Sequence, residues 1–339
     1  MLVANRFKRC ERSRLVILEL FGSFDPSIIF SRRGRMNTVF FGTYEGRLLG
    51  YTIHKVDDGY SMMLEYAVET HIGSVKSVAA EVVNGVPYLL SGGADESIRI
   101  FDLKEAKEDG TILFHQGDIT CLEFAGPEFM ISGGADGKIV VWKTDEWTKL
   151  HILGSHKASV TSICVHPSNK LALSVGADNT MRMWNLVKGR LGFVRKLKEQ
   201  PFKISFSPDG AEYAILYSRT CCVYKVADGE QMFQLTNKLG FNDMVIFPNG
   251  DLVLVGNDKM IHVYDKKGTE TATINANTQF RLRTVTLIPR EDATPLIVTG
   301  SSDGYIQLWD VYSDGEKLVD EVKTSERLLC STSVKVNKD

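Results

Sequence analysis

Hydrophobic and polar residues alternate along most of this chain in stretches of only five or six residues. The segment 170–186 is representative: Leu171 and Leu173 alternate with small residues, a polar break runs from Gly176 to Asn179, and apolar residues then resume up to Trp184. Alternation with a period of two is typical of a half-buried β-strand. Glycine beside Asp and Asn is typical of a tight turn. This segment is therefore predicted to be a β-hairpin.

The same hairpin recurs seven times, with 40 to 50 residues between successive turns. An aromatic residue stands six positions after each turn residue. Aromatic residues make up 9% of the chain, so seven matches at one offset would be rare by chance. The seven pairs are Glu45 with Tyr51, Asp95 with Phe101, Asp136 with Trp142, Asp178 with Trp184, Ser218 with Tyr224, Asp258 with Tyr264, and Asp303 with Trp309.

Further apolar segments lie between the hairpins, which makes four strands in each repeat. Four strands in about 40 residues are typical of a β-propeller blade. The first hairpin, Val39–Ile53, has no segment before it, and the last segment, Leu328–Val336, has no hairpin after it. We therefore predict an all-β fold, a seven-bladed propeller over residues 36–339. We expect its ring to be closed by the C-terminal strand pairing into the N-terminal blade, which leaves no open edge.

Residues 1–35 precede this pattern and are basic. They contain eight Lys and Arg residues against three acidic residues, a net charge of +5. We predict a disordered leader. One alternative is a nuclear-import or RNA-contacting arm, and another is that translation begins at Met36.

Composition narrows the possible classes of function. The formal net charge of −2 provides no overall attraction to nucleic acid or to a membrane. No apolar run approaches the length of a membrane span, so no membrane partner is expected. The six cysteines form no C-x-x-C pair. We expect them to be small buried residues, and we expect an intracellular, reducing compartment.

Four polar or aromatic residues recur in the same order in the third and fourth repeats, with identical spacing from Ser to Asp to Trp. They are His115, Ser132, Asp136 and Trp142, and then His156, Ser174, Asp178 and Trp184. Repeats with Gly-His near the start and Trp-Asp near the end resemble the WD40 family. That resemblance implies a buried hydrogen-bonded chain from Trp through Ser and His to Asp. Buried indole, hydroxyl and imidazole groups each need such a partner. The other repeats are degenerate, and the fifth and sixth lack most of the set.

A Ser, a His and an Asp in one repeat could also suggest a hydrolase. The trio recurs in adjacent repeats, however, and Ser132 and Ser174 lie within predicted strands rather than on strained, exposed turns. The segment 133–138 lacks the spacing of a phosphate-binding loop, and the histidines show no metal-ligand spacing. We therefore predict a non-enzymatic protein with no cofactor and no metal.

Other single residues have simpler interpretations. His54, His151 and His262 are expected at the surface of strands or loops. Trp147 has two alternatives: packing between the third and fourth strands of its repeat, which we favour, or exposure as an anchor for a partner.

Four stretches narrow the resemblance within the WD40 family. They are Gly42–Tyr51, Gly117–Phe124, Ser301–Ile306 and, most specifically, His166–Arg190. Together they resemble the p21-activated-kinase-interacting protein family, whose fungal members act in ribosome assembly. The resemblance covers most of residues 37–335.

This resemblance implies a nucleolar scaffold in the biogenesis of the large (60S) ribosomal subunit and in pre-rRNA processing. The implied partners are large-subunit assembly factors docked on propeller loops. RNA contact is expected to be indirect or through the basic leader. The protein is expected to be a monomeric propeller within a larger complex. The alternative is negative regulation of p21-activated kinase by direct binding.

Overall fold

The computed structural model describes residues 34–56, 59–290, 294–315 and 317–338. The predicted leader, residues 1–35, lies outside this part of the chain except for Gly34 and Arg35, with which the first strand begins. Within the described residues, no helix is long and apolar enough to cross a membrane.

The described chain forms 28 β-strands in seven antiparallel sheets of four strands each, which are the blades of a seven-bladed propeller. The predicted all-β fold is thereby confirmed. Blade one contains β1 (Gly34–Thr43), β2 (Arg47–Val56), β3 (Gly59–Glu69) and β28 (Leu328–Lys338). Blade two contains β4 (Val75–Val83), β5 (Val86–Gly93), β6 (Ser97–Asp102) and β7 (Lys107–Leu113). Blade three contains β8 (Ile119–Phe124), β9 (Phe129–Gly134), β10 (Lys138–Lys143) and β11 (Thr148–Ser155).

The remaining four blades repeat this order. Blade four contains β12 (Val160–Val165), β13 (Leu171–Gly176), β14 (Thr180–Asn185) and β15 (Arg190–Lys196). Blade five contains β16 (Pro201–Phe206), β17 (Glu212–Tyr217), β18 (Thr220–Lys225) and β19 (Gln231–Thr236). Blade six contains β20 (Phe241–Ile246), β21 (Leu252–Gly256), β22 (Met260–Tyr264) and β23 (Glu270–Asn275). Blade seven contains β24 (Leu282–Ile288), β25 (Leu296–Ser301), β26 (Tyr305–Trp309) and β27 (Leu318–Lys323).

The two ends of the described chain meet in blade one. Strand β28 pairs antiparallel with β1, so the C-terminal end supplies the inner strand of a blade whose other three strands come from the N-terminal end. Side chains join the same two ends, because Arg327 Nε lies 2.7 Å from Glu45 Oε1 and Arg47 Nη1 lies 2.5 Å from Glu326 Oε1. The predicted closure by the C-terminal strand is confirmed.

The hydrophobic core is divided among the interfaces between blades. Seven clusters of buried apolar residues occur, and each draws its members from two neighbouring blades. Trp147 belongs to the cluster between blades two and three and is only 5% exposed. Its ring lies edge-on to Tyr88 of blade two, 5.4 Å between centroids. The alternative of an exposed anchor at Trp147 is therefore wrong.

Hydrogen bonds between inner strands supplement this apolar packing. Three of them share one form and use a side chain that follows a break in strand register, where a bulge can re-aim it. The acceptor belongs to one blade and the backbone N–H donor to the next. The three bonds are Leu122 N to Ser77 Oγ at 2.9 Å, Ile204 N to Ser162 Oγ at 3.3 Å, and Val285 N to Asp243 Oδ2 at 2.9 Å.

Ending the chain at Thr324 should destabilise the whole ring. The change removes β28, leaves Val39 and Phe41 without their cover, and reopens a strand edge. Since burying each large apolar side chain contributes about 1.5–3 kcal/mol, we expect the melting temperature to fall by about 10 °C or more. A chain ending at Lys335, which keeps Leu328 and Val334, is the control. Equal melting temperatures for the two shortened chains, measured by circular dichroism, would contradict the closure.

Candidate functional site

The eight polar and aromatic residues singled out in the third and fourth repeats lie in two chains of hydrogen bonds. In blade four, Trp184 Nε1 donates to Ser174 Oγ at 2.8 Å. Ser174 Oγ is 2.8 Å from His156 Nε2, and His156 Nδ1 is 2.9 Å from Asp178 Oδ1. The structure therefore brings all four residues of the repeat together.

Blade three repeats this geometry. Trp142 Nε1 donates to Ser132 Oγ at 2.8 Å, and Ser132 Oγ is 2.8 Å from His115 Nε2. His115 Nδ1 is 3.0 Å from Asp136 Oδ1. We call each set of four residues a tetrad.

The partners in a tetrad determine which atoms carry protons. The Asp carboxylate accepts hydrogen bonds, so His156 Nδ1 carries a proton and donates it. The Nε2 atom of a neutral imidazole is then an acceptor, and the Ser174 hydroxyl donates to it. The Ser174 oxygen in turn accepts from the indole. This single arrangement gives the indole, hydroxyl and imidazole groups of the tetrad a hydrogen-bond partner each.

The electrostatics favour the same protonation state. Burial lowers the pKa of His115 and of His156, although the neighbouring carboxylates act in the opposite direction. Burial alone would raise the pKa of Asp136, but the hydrogen bonds from His115 and from the backbone of Gln116 outweigh it and lower that pKa. Near neutral pH each tetrad therefore contains a neutral imidazole and a charged carboxylate.

The Asp of each tetrad also holds two loops together. Asp178 accepts from the backbone N–H of Thr180 at 3.1 Å, within its own turn. It accepts from Lys157 N at 2.9 Å, in the loop that enters blade four from blade three. Asn179 lies between Asp178 and Thr180 in this turn and has a φ of 57°. Asn tolerates this left-handed conformation well. A tetrad thus extends from the apolar interface, where its Trp is buried, to the loops at one end of the ring.

Neither tetrad has the geometry of a catalytic centre. Ser132 and Ser174 are 0% exposed, so no substrate carbonyl can reach their hydroxyl oxygens. Each of these oxygens is also occupied by the indole hydrogen bond. Among the described residues, no group of three or more His, Cys, Asp or Glu side chains is placed to hold a metal ion.

Two other blades contain partial versions. In blade two, His71 Nε2 lies 2.8 Å from Ser91 Oγ and His71 Nδ1 lies 2.8 Å from Asp95 Oδ1, while Phe101 stands in place of Trp. In blade seven, Trp309 Nε1 donates to Thr299 at 3.0 Å, and no His completes the chain.

Blade six contains a different arrangement, and the prediction for His262 was wrong. This side chain is half-buried between two carboxylates rather than on the surface: its Nε2 is 2.8 Å from Asp258 Oδ2 and its Nδ1 is 2.6 Å from Glu270 Oε1. Burial opposes protonation, but the two carboxylates outweigh it and raise the pKa of His262. His54 is also only half-buried, and His151 is exposed on β11. The four-residue spacing of Asp258 and His262, around a turn and into a strand, was the available sequence signal.

Exposed apolar side chains mark candidate interaction surfaces that the sequence did not reveal. We define the loop face as the end of the ring that carries the loops between blades and the turns between second and third strands. Four large side chains protrude there, Tyr44, Ile72, Leu239 and Phe280, at 52%, 86%, 64% and 59% exposure. A second group, Leu191, Phe193 and Val194, lies on β15 at the outer edge of blade four. Nothing in the local alternation pattern distinguishes these residues from core residues.

Comparison with known proteins supports the same fold. The family model "WD domain, G-beta repeat" matches residues 107–143, 147–185 and 272–310. Each of these three ranges contains one of the Trp-to-hydroxyl bonds described above. The solved WD40 beta propeller domain of Doa1 superposes with a TM-score of 0.66 over 82% of this chain and 90% of that chain. At 22% sequence identity it bears on the fold alone.

Several relatives share most of their length with this chain. A p21-activated protein kinase-interacting protein 1-like protein of Xenopus laevis is 34% identical over 86% of this chain and 77% of its own length. Protein MAK11 of Saccharomyces cerevisiae is 27% identical over 87% of this chain and 82% of its own. Shk1 kinase-binding protein 15 of Schizosaccharomyces pombe is 28% identical over 71% of this chain and 69% of its own.

Replacing Ser174 with Ala should be strongly destabilising. The change leaves the Trp184 indole and His156 Nε2 buried without partners, at about 1–3 kcal/mol for each group. We expect a loss of about 2–4 kcal/mol in urea unfolding. Ser205→Ala is the control, because among the described residues this half-buried hydroxyl bonds only to the carbonyl of Phe206, the next residue in the chain. Equal losses for both substitutions, or full additivity of Ser174→Ala with Trp184→Phe, would contradict a coupled network.

The contributions of His156 and His262 to stability should respond to pH in opposite directions. Free His titrates near about pH 6.5. The folded-state pKa of His156 is lowered, so its contribution to stability is lost as the pH falls below that value. The folded-state pKa of His262 is raised, so its contribution is present below that value and is lost as the pH rises through the folded-state pKa.

Urea unfolding of His156→Gln and His262→Gln at about pH 5.5 and about pH 7.5 tests this. The destabilisation by His156→Gln should be smaller at the lower pH, and that by His262→Gln should be larger there. The same pH trend in both variants would refute the assignment of protons in the tetrads.

Proposed function

This chain belongs to the p21-activated protein kinase-interacting family of WD40 proteins, and on that premise we propose that it is a non-enzymatic scaffold in large (60S) ribosomal subunit biogenesis and pre-rRNA processing. The proposed location is the nucleus, and within it the nucleolus. Support comes from the resemblance of the stretch His166–Arg190 to that family, and from the similarity of the whole chain to Protein MAK11 of Saccharomyces cerevisiae.

One structural observation carries the scaffold role. Ser132 and Ser174, the nucleophile candidates of the two tetrads, are fully buried, whereas the large apolar side chains of Tyr44 and Ile72 protrude from the loop face. Exposed apolar groups on rigid loops are suited to binding proteins. We propose that large-subunit assembly factors dock there, on a monomeric propeller within a larger complex. Residues 1–35, with their net charge of +5, are the proposed leader and a candidate RNA contact.

A second candidate function is negative regulation of a p21-activated kinase by direct binding. Relatives in animals and in fission yeast have names that describe kinase interaction, p21-activated protein kinase-interacting protein 1 and Shk1 kinase-binding protein 15. The two functions can coexist, because a propeller has two faces and an outer rim on which partners can bind separately.

Depleting the protein from cells should raise the level of large-subunit rRNA precursors and leave small-subunit precursors unchanged. Northern analysis of both precursor classes measures this, and re-expression of the chain is the control. Unchanged large-subunit precursors after depletion would count against the scaffold proposal. A pull-down with the kinase regulatory region, followed by an autophosphorylation assay, separates the alternative. Binding with reduced autophosphorylation supports kinase regulation, and the absence of both excludes it.

A further inference from the structure

The loop face carries a group of lysine and arginine residues without acidic partners. They lie on the loops and turns from the entry of blade four to the entry of blade seven. All are exposed, and none forms an ion pair with any residue that the structure describes. We call this group the basic arc: Lys157, Lys198, Arg219, Lys238 and Arg281.

The rest of the loop face differs, because its cations are neutralised. Arg327 pairs with Glu45 at 2.7 Å, and Lys76 with Asp118 at 3.4 Å. Along the loops of the basic arc, Glu199 is the one exposed acidic residue among those described. On the adjoining turns, Asp178, Asp258 and Asp303 are half-buried and accept hydrogen bonds from these loops. Five exposed cations against one exposed and three half-buried carboxylates leave this arc with an excess of positive charge on a chain whose formal net charge is −2.

The loops that carry these cations are anchored to neighbouring turns through the backbone. Each loop that enters a blade donates to, or accepts from, the turn of a neighbouring strand pair, so the loops form one continuous strip along the ring. The bonds are Leu197 N to Asn179 O at 2.8 Å, Asn237 N to Arg219 O at 2.9 Å, and Ser302 N to Arg281 O at 3.0 Å. The cationic side chains therefore extend from backbone positions that the fold holds in place.

Two exposed apolar side chains lie next to these cations in the chain. Leu239 follows Lys238 and is 64% exposed, and Phe280 precedes Arg281 and is 59% exposed. The backbone N–H of Phe280 is directed at Asp303 Oδ2, at 3.4 Å, and its carbonyl accepts from Thr278 Oγ1 at 2.7 Å. An exposed aromatic ring on an anchored loop, beside a guanidinium, can stack on an unpaired base.

We propose that the basic arc binds the sugar–phosphate backbone of RNA, with Phe280 stacking on an unpaired base. The inference rests on the proposed role in pre-rRNA processing and names a surface on the propeller itself. A row of cations without acidic partners suits a polyanion, because each phosphate contact releases counterions. An extended acidic protein segment would more readily add to a free strand edge. Such edges lie on the outer rim, at β15 for example, and not along the arc.

The test compares two variants of the full chain with equal changes in charge. The arc variant carries Lys198→Gln, Arg219→Gln and Lys238→Gln. The control variant carries Lys170→Gln, Lys188→Gln and Lys267→Gln, three exposed lysines on the opposite face that form no described ion pair. Fluorescence anisotropy with a single-stranded RNA of about 30 nucleotides measures the affinity at several salt concentrations. Equal melting temperatures establish that both variants are folded.

We expect the arc variant to lose about tenfold or more in RNA affinity, and the control variant to bind like the unmodified chain. The slope of log affinity against log salt should fall by about 2 in the arc variant, since each phosphate contact on a single strand contributes about 0.7. Phe280→Ala should weaken binding to single-stranded RNA, and should leave binding to a duplex of the same length unchanged.

Several results would overturn the inference. One is equal RNA affinity of the arc and control variants. Another is that the unmodified chain binds polyglutamate through the arc and does not bind RNA, which would identify an acidic protein as the partner. In cells depleted of the protein, full rescue of rRNA processing by the arc variant would support the scaffold function and contradict RNA binding by the arc. Normal rRNA processing after depletion would instead contradict the scaffold function. The affinity measurements would then still show whether the arc binds RNA.

Discussion

No blade of this protein buries a core of its own, and the rest of the structure depends on that constraint. Each of the seven apolar clusters is shared by two neighbouring blades. A blade at an open end would therefore expose one whole apolar face to water, at about 25 cal/mol for each Å². Closing the ring is the arrangement in which every face is covered. For this reason the pairing of β28 with β1 concerns all seven blades and not blade one alone.

The tetrads connect this buried packing to the loops at the surface. The indole of Trp184 is buried in the cluster between blades three and four, and Asp178 at the other end of the tetrad holds the backbone of Lys157 in a loop. A loop anchored in this way keeps its exposed side chains in place at little entropic cost on binding. Blade five has no tetrad. It stacks Tyr213 on Tyr224 at 5.2 Å instead, with the Arg195 guanidinium 4.8 Å from the ring of Tyr224.

The features that the sequence could reveal are those that repeat locally. The four strands of each blade and the closure of the ring could both be predicted by counting repeats, because both depend on a periodic pattern. The tetrads were also suggested by repetition. His262 was missed because its arrangement occurs once, with Glu270 brought in from the neighbouring strand. The inter-blade bonds of Asp243 were missed because their donors and acceptors lie 41 and 42 residues apart. They also depend on a bulge before Asp243 that no residue type indicates.

Charge pairing shows most clearly what the sequence leaves open. Arg327 and Lys238 both stand on loops that enter a blade, and their sequence contexts offer no reason to treat them differently. The fold places Glu45, 282 residues away, against Arg327, and places no described carboxylate against Lys238. The net charge of the chain gives no indication of this difference, because it sums paired and unpaired groups alike. A paired cation is partly neutralised before any partner arrives, whereas an unpaired one keeps its full attraction for an anion. The binding properties of such a ring therefore depend less on how many charges it contains than on which of them the closure leaves without a partner.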